Sequence, residues 1–403
     1  VADPVIDALP DLIRPAADSD AVAGVPARYV AAPASTEQAA AVVRVAAAHD
    51  LAVVARGAGT TLDWGLPPRR LDLVIDTRRL SGVVEHAAGD LVVVVRAGTT
   101  VEELAAKLTP QQLALDTPLP GATVGGTVAA NTSGPRRLLY GTVRDLLIGV
   151  TVVRPDGVVA RSGGKVVKNV AGYDLGKLLT GSYGTLGLIT ECAFRLHPLP
   201  AATAVVTRGV DTGCEAGVLV TSIRRSQVVP SAVEVNAPPD GGVEIAVLLE
   251  GTPAGVRERA AATQALLDGE VGSEPPDWWG RYPWQPGDVG IKAGMPVSAV
   301  SGALAAARAA AERHGVPVTV RGSAGTGVLY AGLAAATDPD AVASLIDELR
   351  ATCEHAVVLT APPPVREKVD MWGPVAGLGL MRRLKQQFDP DARFSPGRFV
   401  GGI

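Results

Sequence analysis

Three glycine-rich strings constrain this chain more than any other feature. The first, Arg56-Gly57-Ala58-Gly59-Thr60-Thr61-Leu62, follows the apolar run Leu51 to Ala55. The second begins Pro120-Gly121-Ala122-Thr123-Val124-Gly125-Gly126 and continues through Asn131 and Ser133 to Val150. The third runs GGKVVKNVAGYDLGKLLTGSYGTLGLIT from Gly163 to Thr190. Glycines at this density, set among β-branched residues, describe backbone that must come very close to something flat and phosphorylated, with main-chain N–H groups pointing inward. Three such loops suit a large dinucleotide wrapped by backbone, and FAD is the first candidate.

At 403 residues the chain exceeds one average domain, so two domains are expected. A net charge of −4, with no Lys/Arg stripe carrying interleaved aromatics, argues against a nucleic-acid partner. No run of about eighteen apolar residues predicts a membrane span. The first thirty residues carry Asp3, Asp7, Asp11 and several prolines and do not read as a secretory signal. Cys192, Cys214 and Cys353 are isolated and odd in number, which excludes a disulfide framework and a CxxC metal or iron–sulfur site. The expectation is a soluble cytoplasmic protein, reaching the inner face of a membrane only through partners.

Ser35 and Gln38 predict a capping box opening a helix to about Asp50. Strands follow at Leu51–Ala55, Leu71–Asp76 and Leu91–Arg96, then a short helix Thr99–Leu108. Leu146–Arg154 and Val158–Arg161 flank Pro155-Asp156-Gly157 as a hairpin. Prolines 198 and 200 end this domain, giving 1–200. From 201 to 370, strands Thr203–Val210, Val229–Asn236, Val243–Glu250, Val316–Gly322, Gly327–Leu333 and Ala356–Thr360 alternate with helices Gly213–Arg225, Thr252–Leu267, Val297–His314 and Asp338–Ala351. Two rounds of β-α-β-β-α predict an α+β cap: one antiparallel sheet with helices on one face, built from duplicated ferredoxin-like halves. A polar Trp- and Pro-rich stretch, Ser273–Asp288, reads as irregular, and Pro362-Pro363-Pro364 closes the cap. Residues 371–403 form a last helix, about Pro374 to Gln387, and a segment expected to return to the first domain.

The first loop is not a Rossmann fingerprint. Leu62 occupies the third glycine position, and Pro67 and Pro68 break the helix that would hold a pyrophosphate, although Asp76 stands at a fitting distance. A nest of N–H groups needs no helix and fits better; a tight turn without ligand remains the alternative. Gly172–Lys177 is one residue short of a P-loop, with Leu178 where magnesium needs Ser or Thr. No Gly-x-Ser-x-Gly elbow occurs, and His49, His86, His197, His314 and His355 form no metal-binding pair, so no metal is expected.

Together, the first loop, Pro120–Gly126 with Asn131, and Gly184-Thr185-Leu186-Gly187-Leu188-Ile189-Thr190-Glu191 resemble the FAD-binding domain of the vanillyl-alcohol oxidase / p-cresol methylhydroxylase flavoproteins. Ser133-Gly134-Pro135-Arg136-Arg137, Tyr140–Asp145 and Gly163–Asp174 resemble the smaller FAD-binding subunit of bacterial glycolate oxidase. The resemblance implies a two-part FAD-binding domain. In it, Arg56, Gly57, Ala58, Gly59, Thr60, Thr61 and Leu62 cradle the pyrophosphate. Pro120, Gly121, Ala122, Thr123, Val124, Gly125, Gly126, Thr127, Asn131, Ser133 and Gly134 line the diphosphate and isoalloxazine side. Gly187 and Ile189 meet the adenosine end. Members that attach FAD covalently carry His at the position of Thr60, so non-covalent FAD is implied. Related 2-hydroxy-acid dehydrogenases carry a metal-binding His where Arg321 stands, and an Arg neither ligates a metal nor acts as a base at neutral pH.

The leading expectation is a flavoprotein subunit of a glycolate-oxidase-type complex. Its partners would be a larger FAD-binding subunit that oxidises a 2-hydroxy acid and an iron–sulfur subunit. A second reading is a stand-alone FAD oxidase or dehydrogenase, with Lys292, Arg321 or Arg366 holding a carboxylate and Tyr330 assisting proton removal. A third is a non-catalytic flavin-fold brace. The string Asp277-Trp278-Trp279-Gly280-Arg281-Tyr282-Pro283-Trp284 has the composition of an interface hot spot, or is a lid packed on its own cap.

Overall fold

The computed structural model describes residues 3–165 and 173–403, so the middle of the third string, 166–172, lies outside the described residues. Val1–Ser133, Thr142–Leu199 and Val375–Ile403 form one compact unit; Gly134–Gly141 and Pro200–Pro374 form a second.

In the first unit, Ser35 Oγ accepts the Gln38 N–H and starts the helix Thr36–Ala48. The expected capping box closes one residue early, because the Gln38 amide oxygen accepts from Ala34 N at 2.7 Å. Ala39, Ala40, Val42, Val43 and Ala46 make one buried stripe. That stripe packs on a sheet ordered Ile13–Pro15, Tyr29–Ala31, Leu73–Asp76, Val53–Arg56, whose last three strands are parallel. Residue Phe394 extends this sheet by a parallel bridge to Val53. A second, antiparallel sheet takes Val83–Ala87, Val92–Arg96, Leu188–Arg195, Leu147–Val153 and Val159–Gly163 in that order. Helices Val101–Leu108 and Val124–Ala130 share its core through Leu104, Leu108, Val124 and Val128.

Ile13–Pro15, Tyr29–Ala31, Val83–Ala87, Val124–Ala130 and Leu188–Arg195 were not among the elements expected from the sequence. Val83–Ala87 is a largely exposed edge strand, so it shows no apolar signature. Val124–Ala130 is helical despite Gly125 and Gly126, which disfavour helix. Thr123 caps it by accepting the Gly126 N–H, and buried Val124 and Val128 hold it down.

The second unit is an eight-stranded antiparallel sheet. Its order is Glu270–Gly272, Ala202–Val210, Val243–Gly251, Ala232–Ala237, Thr319–Ser323, Val328–Leu333, Val289–Gly294, His355–Thr360. Each half runs β-α-β-β-α-β, and the halves meet along the ladder between Ala232–Ala237 and Thr319–Ser323. This is the duplicated ferredoxin-like cap. Glu270–Gly272 and Val289–Gly294 were not anticipated: the first is short and exposed, and two glycines dilute the β signal of the second. Pro363 and Pro364, read as a stop, open the short helix Pro363–Lys368, since Pro is tolerated in a first turn.

Candidate cofactor site and a cationic cluster

The strand Val53–Arg56 feeds directly into the first glycine loop. Among the described residues, the N–H groups of Ala58, Gly59, Thr60 and Thr61 donate to no protein acceptor. Behind them the loop is closed by Leu62 N–H to Gly59 O and Trp64 N–H to Thr61 O, each 3.1 Å. Gly59 takes φ +84°, a left-handed conformation that favours glycine. Unspent N–H groups on a concave wall make a nest for an anion such as a diphosphate. The opposite wall of this cleft comes from Thr123, Gly125 and Gly126, and one end from Gly187, Leu188 and Ile189. The two walls meet at Gly57, where a Cβ would stand 2.1 Å from Thr123 Oγ1.

The first loop therefore lines the cleft throughout, residues 56–62, but Arg56 does so with its guanidinium already engaged. Its Nη2 lies 2.9 Å from Asp20 Oδ1 and 3.2 Å from Asp76 Oδ2, with only 13% of the side chain exposed. Burial pushes the Asp20 carboxyl up, but the Ala17 N–H and the guanidinium groups of Arg56 and Arg14 bring it down to about 2. Burial likewise opposes ionisation of Asp76, and bonds from Arg78 and then Arg56 hold it below the ordinary carboxylate range. Asp76, which could have been a ribose ligand in a Rossmann fold, is spent on this network.

The second string divides. Thr123, Gly125 and Gly126 line the cleft, whereas Pro120, Gly121, Ala122, Val124, Thr127, Asn131, Ser133 and Gly134 are not part of its lining. The helix Val124–Ala130 turns Val124, Thr127 and Val128 into the core, and Ala122, just before it, is buried as well. Gly121 N–H is spent on Glu102, Ser133 Oγ on Val143 N–H, and Gly134 O on Arg137 Nε. Gly134 belongs to the second unit. Thr127 Oγ1 and Asn131 Oδ1 are buried without a hydrogen-bond partner. They sit on the same helical segment as the lining residues Ala129 and Ala130. Unspent loop N–H groups and small-residue walls fit a dinucleotide cofactor.

Sequence reasoning missed Thr77, Ala97, Tyr183, Gly184 and Arg398, which also line the cleft. Arg398 Nη2 donates to Leu62 O and Trp64 O at 2.7 and 2.8 Å, so it grips the far end of the first loop. Tyr183 packs against Phe399 with ring centroids 5.5 Å apart. The only available signal was that Tyr183 and Gly184 lie within the third string and Arg398 in the last segment; Thr77 and Ala97 carried none.

In the second unit the sheet register sets Glu244, Asn236, Arg321, Tyr330 and Lys292 in one row across five strands. Tyr330 is buried, and its hydroxyl accepts from Arg137 Nη2 at 3.2 Å. Burial pushes the phenol up, but the adjacent Arg137 guanidinium and Lys292 ammonium outweigh it and hold Tyr330 below its ordinary value. Lys292 is half-buried and has no hydrogen bond or ion pair among the described residues. Arg321 is spent differently: Nε donates to Asn236 Oδ1 at 2.9 Å, and Nη1 to the Arg281 carbonyl. Burial, then the charge of Arg281, lower its pKa. Arg366 sits on the helix Pro363–Lys368, outside the row.

The aromatic string covers this row. Trp284 stacks on Tyr282 at 4.5 Å, Tyr282 meets Tyr330 edge-on at 4.8 Å, and Trp278 lies under the Arg321 guanidinium. Facing glycines make room for it: a Cβ at Gly290 would stand 2.5 Å from Trp284, and one at Gly332 1.9 Å from the Pro283 carbonyl. The string is a strap on its own cap, which leaves the rings of Tyr282 and Trp284 already packed rather than presented as an interface.

Two known families match parts of the chain. Residues 27–163 match the family described as FAD binding domain, and residues 292–399 match FAD linked oxidases, C-terminal domain. The chain is 32% identical over 209 residues to glycolate oxidase subunit GlcD of Bacillus subtilis (strain 168), covering 51% of this chain and 44% of that protein. It is 40% identical over 140 residues to glycolate oxidase subunit GlcE of Escherichia coli (strain K12), covering 34% and 40%. With the D-lactate dehydrogenase of Archaeoglobus fulgidus it shares 33% over 231 residues, covering 57% and 50%. The chain thus spans half or less of the length of these relatives. Among solved structures, p-cresol methylhydroxylase superposes with TM-score 0.70 at 16% identity, covering 92% of this chain and 88% of that one. Alkyldihydroxyacetonephosphate synthase superposes at 0.72 and 17%, covering 96% and 82%. No helix among the described residues is long and apolar enough to cross a membrane. Residues 27–163 thus carry an FAD-binding domain and residues 292–399 the C-terminal domain of FAD linked oxidases, in a fold shared with p-cresol methylhydroxylase.

Proposed function

We propose that this chain is the flavin-carrying subunit of a glycolate-oxidase-type assembly, working beside a larger FAD-binding subunit that oxidises a 2-hydroxy acid and an iron–sulfur subunit. What carries this reading is its similarity to two proteins that are each a glycolate oxidase subunit, joined to a cleft whose walls suit FAD. FAD supplies the two-electron acceptor. The N–H groups of 58–61 hold its diphosphate, Thr123, Gly125 and Gly126 form the facing wall, and Gly187 and Ile189 close one end. Thr60 offers no imidazole for a covalent link, so the cofactor is retained by non-covalent contacts. No metal takes part at Arg321, whose guanidinium is engaged by Asn236. Affinity purification of the tagged chain from its native lysate tests the assembly. Co-purification of a second flavoprotein and an iron–sulfur protein in fixed ratio is expected, and a lone chain after gentle cross-linking refutes it.

One observation favours a second reading, in which the chain itself handles the hydroxy acid. Lys292 and Arg137 are cations beside a phenol of lowered pKa, the chemistry needed to hold a carboxylate and receive a hydroxyl proton. On this reading Tyr330→Phe abolishes flavin reduction by glycolate or D-lactate in the purified chain while flavin content is unchanged. A purified wild-type chain that glycolate and D-lactate fail to bleach discards it.

A further inference from the structure

We infer that residues 389–399 are a retention clamp for the cofactor, and that Lys385, which does not itself line the cleft, positions it. The inference rests on the reading that the cleft holds FAD.

The clamp begins with a buried ion pair. Lys385, on the helix Leu378–Phe388, is 7% exposed, and its Nζ donates to Asp389 Oδ2 at 2.7 Å, Thr185 O at 2.8 Å and Phe394 O at 2.8 Å. All three ammonium donors are therefore used. Asp389, 1% exposed, is equally committed: its Oδ2 also accepts the Phe394 N–H at 2.7 Å, and its Oδ1 the Arg393 N–H at 3.2 Å. Burial opposes the charge on Lys385, and Asp389 compensates in part, so its pKa lies below the ordinary lysine value. Two charges this deeply buried are costly unless fully bonded, and these are.

The bonds from this pair lead to both sides of the cleft. Thr185 stands between the lining residues Gly184 and Gly187. Phe394 is the residue that pairs with Val53, flanked by Val53 N–H to Arg393 O at 2.8 Å and Ser395 N–H to Val53 O at 2.7 Å. Three residues beyond Val53 the strand ends at Arg56 and the diphosphate loop begins. Further along, Arg69 N–H donates to Pro396 O, Leu66 N–H to Arg398 O, and Arg398 to the carbonyls of Leu62 and Trp64. The segment thus grips the first loop at its entrance and its exit, while Lys385 ties the same segment to the third string. Arg398 also brings a guanidinium to the cleft lining, where Arg56 is already paired with two carboxylates.

Lys385→Met keeps the length of the side chain and removes all three bonds. Because it leaves Asp389 buried beside no cation, the double variant Lys385→Met/Asp389→Leu, which removes that unpaired charge, is made with it. FAD is titrated into apo-protein by flavin fluorescence, with far-ultraviolet circular dichroism as the fold control. Trypsin cleavage at Arg393 and Arg398 is followed with and without FAD. The expected results are a Kd for FAD raised at least tenfold in both variants at unchanged secondary structure, and wild-type cleavage at Arg398 slowed by FAD. That protection is lost in the variants. A purely structural role for Lys385 leaves Arg398 protection independent of FAD, and that result, or an unchanged Kd in a folded variant, overturns the inference. A folded wild-type chain that binds no FAD defeats the cofactor reading itself, and the clamp with it.

Discussion

Gly57→Ala is the smallest perturbation that addresses the contact between the two cleft walls. The new Cβ would lie 2.1 Å from Thr123 Oγ1, with Thr123 Cβ at 3.1 Å and Cγ2 at 3.2 Å. Ordinary carbon contacts begin at about 3.5 Å, so the loop and the cap of the helix Val124–Ala130 must separate by more than an ångström at that point. Overpacking of this kind costs about 1–3 kcal/mol. If the strain falls on the cofactor-bound arrangement, FAD affinity falls about 5- to 150-fold. Thr123→Ala alone removes a helix cap, which costs about 1 kcal/mol. In the double variant the atom at 2.1 Å is gone and the nearest remaining Thr123 atom is the Cβ at 3.1 Å. The double variant should therefore bind FAD more tightly than Gly57→Ala alone, a positive coupling that additive effects cannot produce. FAD titration of the four apo-proteins measures it. Wild-type affinity in Gly57→Ala, or a double variant no better than that single, refutes the geometry of the cleft floor.

Four further outcomes follow from the structure. Arg56→Met strips the shared cation from Asp20 and Asp76 and should lower stability to urea by about 3 kcal/mol. The same network has an acid signature: Asp20 is depressed to about 2, so its contribution is fully present above the ordinary carboxylate pKa and lost as pH falls through about 2. Asp20→Asn should flatten that part of the stability–pH curve. Lys292→Met removes one cation that lowers the Tyr330 pKa, so the tyrosinate titration of Tyr330, isolated by difference against Tyr330→Phe, should move to higher pH; no movement separates Lys292 from Tyr330. Gly290→Val collides with Trp284 and should red-shift tryptophan emission without changing flavin content, whereas unchanged emission denies that the strap rests on the sheet.

Much of this was legible in the sequence because it is written in local pattern. Strand–helix alternation from Thr203 to Thr360 sufficed for the duplicated cap, and glycine density marked Gly57–Leu62 as a loop that lines a cleft. The missing pieces lack such signatures. Val289–Gly294 carries Gly290 where the strap crosses it, and Val124–Ala130 carries Gly125 where it comes close to Ala97. The same string was expected to line the cleft as a whole, but a helix turns only part of its residues to any one side, which leaves Val124, Thr127 and Asn131 elsewhere. Arg137 and Tyr330 are 193 positions apart, and Lys385 reaches Thr185 across 200. Pairs at such separations depend on tertiary register, which no local window contains.

Whether this chain holds FAD without a covalent bond is read from the visible spectrum of the purified native protein before and after acid precipitation. The expected result is a yellow protein with one flavin per chain, all of it released into the supernatant as FAD. A colourless folded protein, or colour that stays in the pellet, would contradict it.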